Sequence, residues 1–556
     1  MSNSLKNIFY TRNNCTRKAM LFLFLVLNAF ISLQVNAAEW KTIIESNDEF
    51  TSTILPILII NTDNNKTIVD EPKTNAYMGI IFNGNGRLNK ISDQHNHYSN
   101  QIGIELRGNS TQGFPKKPYT FETRDSLGQN LNVSLFGWPA ENDWILRASY
   151  LDHTFIRNGL ANCMSRKNGW WASRTQLVEL VLNGEYQGIY VFMEKIKPDK
   201  GRVDIATLNP DEITEPEIGG GYIWEITGFQ TNIGESRNLK FPKIEEAAPE
   251  QIAYLQQCDN EFRKAMSSKS FADSLVGYHA WINVPSFINE LIVQEAMRNS
   301  DAYGWSGYFH KNKEEKINAG PVWDFDQSAG NSSYPDNGVV QGWMFSHPST
   351  NNTPFFWPKL MSDPAFNYAV RHRWETLRQG AFHTDSLFAY IDSIAGLLAE
   401  PQEREFSKWK VLGTNTWRET SGYQQRNTYQ KEVDYLKYFL SQRWEWMDKQ
   451  LSQYENPYPE VVSAPTLLAD DNLRVYPNPA KDHITIRFDQ SELTIHQVSI
   501  YNNLGGQVQL LNNFHSSEMV SNYQINLAPQ LKPGTYIYRI ETTNNQVFFG
   551  RFIKIE

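Results

Sequence analysis

Cysteine is scarce in this chain: three among 556 residues, Cys15, Cys163 and Cys258. That excludes a disulfide-built scaffold and the Cys-rich zinc sites. Whether Cys163 and Cys258 pair or stay as buried thiols is left open by their spacing. Positive charge is also short, with 52 Lys and Arg against 61 Asp and Glu and a net charge of -9. No basic stripe interleaved with aromatics is present, which argues against a nucleic-acid binder. Apolar runs are brief; the longest, 20–33, is short for a membrane span, so no transmembrane segment is expected in the mature chain. Several catalytic signatures are missing as well. There is no H-E-x-x-H helix, and Gly304-Trp305-Ser306-Gly307 lacks the nucleophile-elbow spacing. Gly108 and Gly113 have P-loop spacing, but Phe114 stands where Lys is required. Gly84-Asn85-Gly86-Arg87-Leu88-Asn89 is a near miss to a Gly-rich phosphate loop and reads as a turn.

What is present begins with a leader. Lys6, Arg12, Arg17 and Lys18 precede the apolar run, and Val35-Asn36-Ala37 follows it, so residues 1–37 read as a signal peptide cleaved after Ala37. Losing four cations and no acids would take the net charge from -9 to -13. The length suggests two or three domains. Residues 38–455 start strand-rich. Ile54 to Ile60 is a continuous apolar run, Ile102, Ile104 and Leu106 alternate with polar or small residues, and Asn183-Gly184 between apolar runs predicts a hairpin. A helix is expected over Phe155 to Arg166. The second part is more helical: Phe287, Ile288, Leu291 and Ile292 follow a cap at Asn283 or Ser286, and Val433 to Leu451 marks a long amphipathic helix. Residues 456–470 form a Pro-containing linker, and 471–556 alternate in short strands, as in a small β-sandwich.

Two carboxylates stand out. Asp301 ends Asn299-Ser300-Asp301, five residues before Ser306; Asp324 opens Asp324-Phe325-Asp326 after Gly320-Pro321-Val322-Trp323. Phosphoryl transfer needs one carboxylate to orient the attacking hydroxyl and take its proton, and another to hold a magnesium ion on the phosphates. In ordinary protein kinases the first Asp is followed five residues later by a metal-binding Asn, and a D-F-G Asp comes later. Here Ser306 and Asp326 replace that Asn and that Gly. Alone the pair is a weak signal, since Asp is more often a turn former or a helix cap.

The surrounding motifs strengthen it. Glu105-Leu106-Arg107-Gly108-Asn109-Ser110, Pro115-Lys116-Lys117-Pro118-Tyr119, Trp144-Ile145-Leu146-Arg147-Ala148-Ser149 and Arg157-Asn158 come first. Leu182-Asn183-Gly184-Glu185-Tyr186-Gln187-Gly188, Glu194-Lys195-Ile196 and the two Asp segments follow in order. Together they resemble the spore-coat CotH family of atypical kinases over most of residues 50 to 450. The resemblance implies an α+β fold: an atypical kinase-like domain, β-rich then helical, ahead of a small all-β sandwich. It implies ATP with Mg2+ or Mn2+, and a Ser or Thr of a protein as acceptor. Asp301 would be the catalytic base, Asp324 a metal ligand, Ser306 a second metal-side ligand and Asp326 a third. Lys117 would sit on the phosphates, with Lys116 the alternative, and Arg107 to Ser110 would cover them. Glu194 is assigned to the nucleotide, its other reading being a surface pair beside Lys195 and Lys197. Arg157 and Asn158 have a plainer reading, bracing a helix. Glu225 stands where a basic residue is expected.

At the other end, Val475-Tyr476-Pro477-Asn478-Pro479-Ala480, Gly534-Thr535-Tyr536 and Gly550-Arg551-Phe552-Ile553-Lys554 resemble a type A sorting domain of the type IX secretion system. That implies a secreted or cell-surface protein and the type IX machinery as a partner. The alternative expectation is a non-catalytic surface scaffold, or a glycan-binding protein, the latter prompted by 16 Trp and 26 Tyr.

Overall fold

The computed structural model describes residues 50–227, 237–336, 338–348, 353–457, 473–488, 495–502, 507–512, 522–543 and 547–555. The expected leader, 1–37, and most of the expected linker, 458–470, lie outside these residues. The chain divides into two compact units, Met1–Glu455 and Asn456–Glu556.

The first unit begins as a closed seven-stranded barrel. Its strands are β1 (Ile57–Thr62), β2 (Thr74–Ile81), β3 (Tyr98–Leu106), β4 (Tyr119–Thr123), β5 (Asp143–Arg147), β6 (Thr175–Leu182) and β7 (Glu185–Glu194). Their order around the barrel is β1-β2-β3-β4-β5-β7-β6. Neighbours are antiparallel except β1 and β6, whose parallel pairing (Ile57 opposite Glu179) closes the ring. The apolar run of β1 is continuous because both faces are covered. Leu58 and Ile60 point into the barrel with Met78, Ile102 and Phe192, while Ile57 and Ile59 pack on Phe50 and Val181. It starts at Ile57 rather than Ile54, just after Pro56, a residue with no N–H to give to a ladder. The β6–β7 hairpin turns through Asn183 and Gly184, both at positive φ (50° and 77°), as the Asn-Gly pair predicts.

Helix α1 (Arg157–Lys167) crosses between β5 and β6. Its first turn is shorter than the pattern suggests, since Phe155 has a φ of 60° and cannot be helical. A second sheet, in the order β9-β8-β10-β11, is built from β8 (Tyr222–Ile226), β9 (Arg237–Phe241), β10 (Gly307–Lys311) and β11 (Asn318–Ala319). Strand β11 is only two residues long, and Pro321 just beyond it has no N–H for further pairing. The helices α2 (Pro249–Ser267), α3 (Val284–Ala296), α4 (Phe356–Met361), α5 (Pro364–Arg378), α6 (Thr384–Leu397), α7 (Pro401–Lys408) and α8 (Tyr429–Leu451) complete the unit. Asn283 takes the N-cap position of α3 without a side-chain cap bond, and the Ser286 hydroxyl donates back to Asn283 O at 2.7 Å. Apolar stripes of α3, α5 and α8 meet in one core that includes Phe287, Leu291, Trp374, Leu436 and Trp444.

A buried ion pair ties α7 to the barrel. Lys116 Nζ donates to Glu405 Oε1 (2.6 Å) and to Ile189 O (2.5 Å), and Glu405 Oε2 accepts from the Ile189 N–H at 2.6 Å. The residue before Ile189 is Gly188, at a φ of 94°, where a Cβ would strike the Glu405 carboxylate. Gly188→Ala therefore strains the backbone and displaces a buried charge, and we expect a loss of more than about 2 kcal/mol in urea unfolding.

The second unit is all β, with sheets in the orders β12-β13-β16 and β15-β14-β17-β18. These are β12 (Leu473–Tyr476), β13 (His483–Phe488), β14 (Ile495–Asn502), β15 (Gln507–Asn512), β16 (Asn522–Asn526), β17 (Gly534–Thr542) and β18 (Val547–Lys554). Ile484, Ile486, Val498, Ile500, Tyr538, Ile540 and Phe552 form its core. The α+β class with a β-sandwich tail is as expected.

Candidate functional site

Two short segments of the first unit are pinned side by side. Helix α3 runs out at Ala296, and the chain turns through Arg298 (φ 43°) into Asn299-Ser300-Asp301. The Asn299 amide donates from Nδ2 to Asp324 O at 3.2 Å, while its Oδ1 accepts from the Asp301 N–H at 3.3 Å. Ser300 Oγ donates to Gln327 O at 2.9 Å. From the other side Asn158 Oδ1 accepts the Phe325 N–H at 2.9 Å, and the buried Arg157 donates to Ser328 O at 3.0 Å. Asn331 Nδ2 donates to Asp326 O at 2.5 Å. Arg157 and Asn158 thus do more than brace α1: they hold the loop that presents Asp324. That residue has a φ of 67°, and Ser306, whose hydroxyl donates to Asp324 Oδ2 at 3.2 Å, has a φ of 53°. Left-handed residues other than Gly cost free energy and persist where the surroundings over-determine them, as at functional sites.

The structure brings together Asp301, Asp324, Asp326, Ser306 and Arg107. It adds one residue without a role in the sequence reading, Arg147 at the end of β5. The Arg147 guanidinium pairs with Asp324 Oδ1 and, at 3.2 Å, with Asp326 Oδ2. Its side chain is 7% exposed, against 27% for that of Asp324. A signal was there to be read: a cation closing the apolar strand Trp144-Ile145-Leu146 needs a buried partner.

The charges are unequal in their effects. Burial pushes the Asp301 carboxyl well above the usual carboxylate range, and the charges of Asp324 and Asp326 add to this against Arg418 and Arg147. Burial acts on Asp324 in the same sense, but the Arg147 guanidinium, with Arg107 and the Ser306 hydroxyl, wins and holds it low. Asp326 is raised, by burial first and by Asp324 next, against the pull of Arg147. Closely placed carboxyls of such opposed tendency make an acid–base set.

The linkage sign follows from Asp301. Its folded value lies above its unfolded one, so the folded protein holds an extra proton between the two, and stability falls as pH rises through that window. In metal-free protein, Asp301→Asn should therefore melt at a higher temperature than the parent at pH 8, with the difference shrinking towards pH 4. Equal melting at both pH values would contradict this.

The remaining expected residues lie differently. Arg107 stacks over Trp323 (5.7 Å) beside Arg147, and burial lowers its basicity. Ser110 is exposed on the turn Ser110–Gly113. Lys116 is committed to Glu405, so it does not compete for the phosphate role; Lys117 is half-buried with Nζ donating to Gln112 O at 2.7 Å. Glu194 is fully buried and pairs with Arg174, whose guanidinium and N–H both reach it (2.5 and 2.8 Å). A surface pair with its neighbours is ruled out, because Lys195 and Lys197 turn to Asp143. Glu225 pairs with Lys240 at 2.7 Å, which brings a cation to the position where a basic residue was expected.

Among the described residues no group of three or more His, Cys, Asp or Glu is set out to hold a metal ion. The donor set at Asp324 is nonetheless all oxygen, two carboxylates and the Ser306 hydroxyl, and hard oxygen donors suit Mg2+ or Mn2+. Arg147 neutralises the carboxylates that a cation would neutralise, so the two compete for Asp324.

The family model described as secretion system C-terminal sorting domain matches residues 474–554, which marks the protein as secreted or cell-surface and implies the type IX machinery as its partner. No curated protein matches the chain. A solved structure of CopC from Methylosinus trichosporium OB3b is 14% identical, covers 15% of this chain and 90% of its own, and at a TM-score of 0.12 carries no argument. The family model described as CotH kinase protein matches residues 104–447, from the end of β3 through Asp301 and Asp324 into α8, and the chain belongs to that family.

Proposed function

We propose that the first unit transfers the γ-phosphate of ATP to a Ser or Thr hydroxyl of a protein. The observation that carries this reading is the convergence of Asp301 and Asp324 on one site, with the proton affinity of the first raised and that of the second lowered. Asp301 orients the acceptor hydroxyl and takes its proton as the oxygen attacks the γ-phosphorus; the bond to the β-phosphate oxygen breaks and ADP leaves. Asp324, Ser306 and Asp326 would hold Mg2+ or Mn2+, which supplies charge neutralisation on the phosphates. Arg107 and Arg147 line the same side and favour the polyanion, and Lys117 is the further cation proposed to reach it, with Ser110 on the covering turn. Glu194 is a proposed nucleotide-side residue that acts through Arg174.

The leader, 1–37, would direct export and be removed, and the sorting unit, 471–556, would carry the protein across the outer membrane. The full chain should gain thermal stability with ATP and Mn2+, roughly 2.7 kcal/mol at a hundredfold excess over Kd. No shift in the parent protein would sink the reading.

One observation favours a second reading, a non-catalytic scaffold. Arg147 already balances Asp324 and Asp326 without a cation. Under that reading Mn2+ and ATP leave the melting temperature unchanged, and Arg147→Met destabilises the protein whether or not they are present.

A further inference from the structure

Behind the segment that carries Asp324 lies a cavity of about 190 Å3, walled by Trp170, Trp171, Ala319 and Pro321, with Glu290 and His310 among its polar residues. It is set apart from the catalytic carboxylates, none of which lines it. Glu290 projects from α3 and is 8% exposed. Its Oε1 accepts from Gln294 Nε2 at 2.8 Å, and among the described residues no hydrogen-bond donor reaches Oε2. Gly320, at a φ of 100°, makes room for that oxygen: a Cβ there would come within 3.1 Å of it. The indole N–H of Trp171, another lining residue, is buried, and among the described residues it has no acceptor. An unsatisfied buried donor and a half-satisfied buried carboxyl each cost free energy unless something fills the space between them.

The chemistry of the walls restricts what fits. Two indoles and a proline favour a flat, apolar-faced ligand. Burial raises the Glu290 carboxyl to about 7, so near neutral pH it can donate or accept. His310 gives its Nδ1 proton to Gly320 O (3.0 Å) and burial keeps it neutral, which leaves Nε2 an acceptor. Arg202 and Asp204 also line the cavity, but the Arg202 guanidinium is turned to Lys195 O and Asp143 O, at 2.8 Å each, so a ligand meets mainly neutral donors and acceptors. The volume exceeds that of an engineered cavity known to take benzene, so it suits a small ring system.

Glu290 is also the first member of a relay. Gln294, which it holds, accepts through Oε1 from Asn299 Nδ2 at 3.0 Å, and the same Nδ2 reaches Asp324 O. The other end of the Asn299 amide accepts from the Asp301 N–H. We propose that the cavity binds a small neutral heterocycle of nucleobase size, between Glu290 and the Trp171 indole, and that its occupancy is felt at Asp301 and Asp324 through Gln294 and Asn299. The second clause rests on the phosphotransfer reading; the first does not.

The test uses the full chain, with adenine, uracil and nicotinamide as probes in calorimetry, beside Trp171→Phe, which removes the N–H and keeps an aromatic wall. At least one probe should bind the parent, bind the variant tenfold or more weakly, and bind equally well with ATP and Mn2+ present. At saturation it should change kcat at least threefold in the parent and leave that of the variant unaffected. Several results overturn the proposal: no binding, with only ordered water in the cavity of a crystal structure; binding that Trp171→Phe does not weaken; or competition with ATP, which would make the cavity part of the nucleotide site. Binding with no kinetic effect overturns the coupling. If the parent transfers no phosphate, the functional reading fails while the calorimetry still decides the site.

Discussion

Asp324→Asn should lose phosphotransfer by about a thousandfold or more, the scale expected when charge on a transferring phosphoryl group goes unneutralised. The variant keeps the shape of the side chain and its bond to Ser306, so the fold should survive. It removes the carboxylate that Arg147 pairs with, and that Arg147, Arg107 and Ser306 keep ionised. Two readouts separate this from general damage. The melting temperature of metal-free protein should change little, because Arg147 retains Asp326. The stabilisation by ATP and Mn2+ should disappear. A variant that transfers phosphate at more than a tenth of the parental rate would show that Asp324 is not the ligand this account requires.

The second large effect is on stability. Glu295 is completely buried beneath the site and satisfied by four donors: the Arg443 guanidinium at 2.9 Å, the Tyr303 hydroxyl at 2.9 Å, and the N–H groups of Met344 and Phe345 at 3.0 and 2.9 Å. Arg443, also fully buried, spends its other protons on Glu295 O, Val340 O and Gly342 O. Glu295→Ala leaves a guanidinium without its counter-charge and three further donors without an acceptor. Removing one partner of such a pair costs about 3–5 kcal/mol, since the remaining charge stays desolvated. Glu295→Gln, which keeps two acceptor lone pairs, should cost less. Equilibrium unfolding in urea measures both, and an Ala variant within 1 kcal/mol of the parent, by that same scale, would contradict the account.

Much of this architecture can be read from local pattern. The Asn183-Gly184 turn needs two positive φ values and names the residues that tolerate them. The run Val433 to Leu451 repeats at helical spacing because one stripe of α8 faces the core. Barrel closure is another matter. Ile57 meets Glu179 across the whole length of the barrel sequence, and nothing in either strand records which partner it takes. The site divides the same way. Asp301 and Asp324 stand out in ordered motifs, yet Arg147 lies far from both in sequence and announces itself only as a charge closing a buried strand. Lys116 and Lys117 are adjacent and chemically alike. Only the path of the loop ahead of β4, which turns one towards Glu405 and the other towards Gln112, tells them apart.

The central claim, that Asp301 is the base of a phosphotransfer reaction, is tested most directly by incubating the full chain with γ-labelled ATP and Mn2+ beside Asp301→Ala. The account predicts acid-stable label on Ser or Thr in the parent, rising with pH as Asp301 loses its proton, and none in the variant, although both bind nucleotide. Equal label in both proteins, or nucleotide binding and no label in the parent with any offered acceptor, would contradict it.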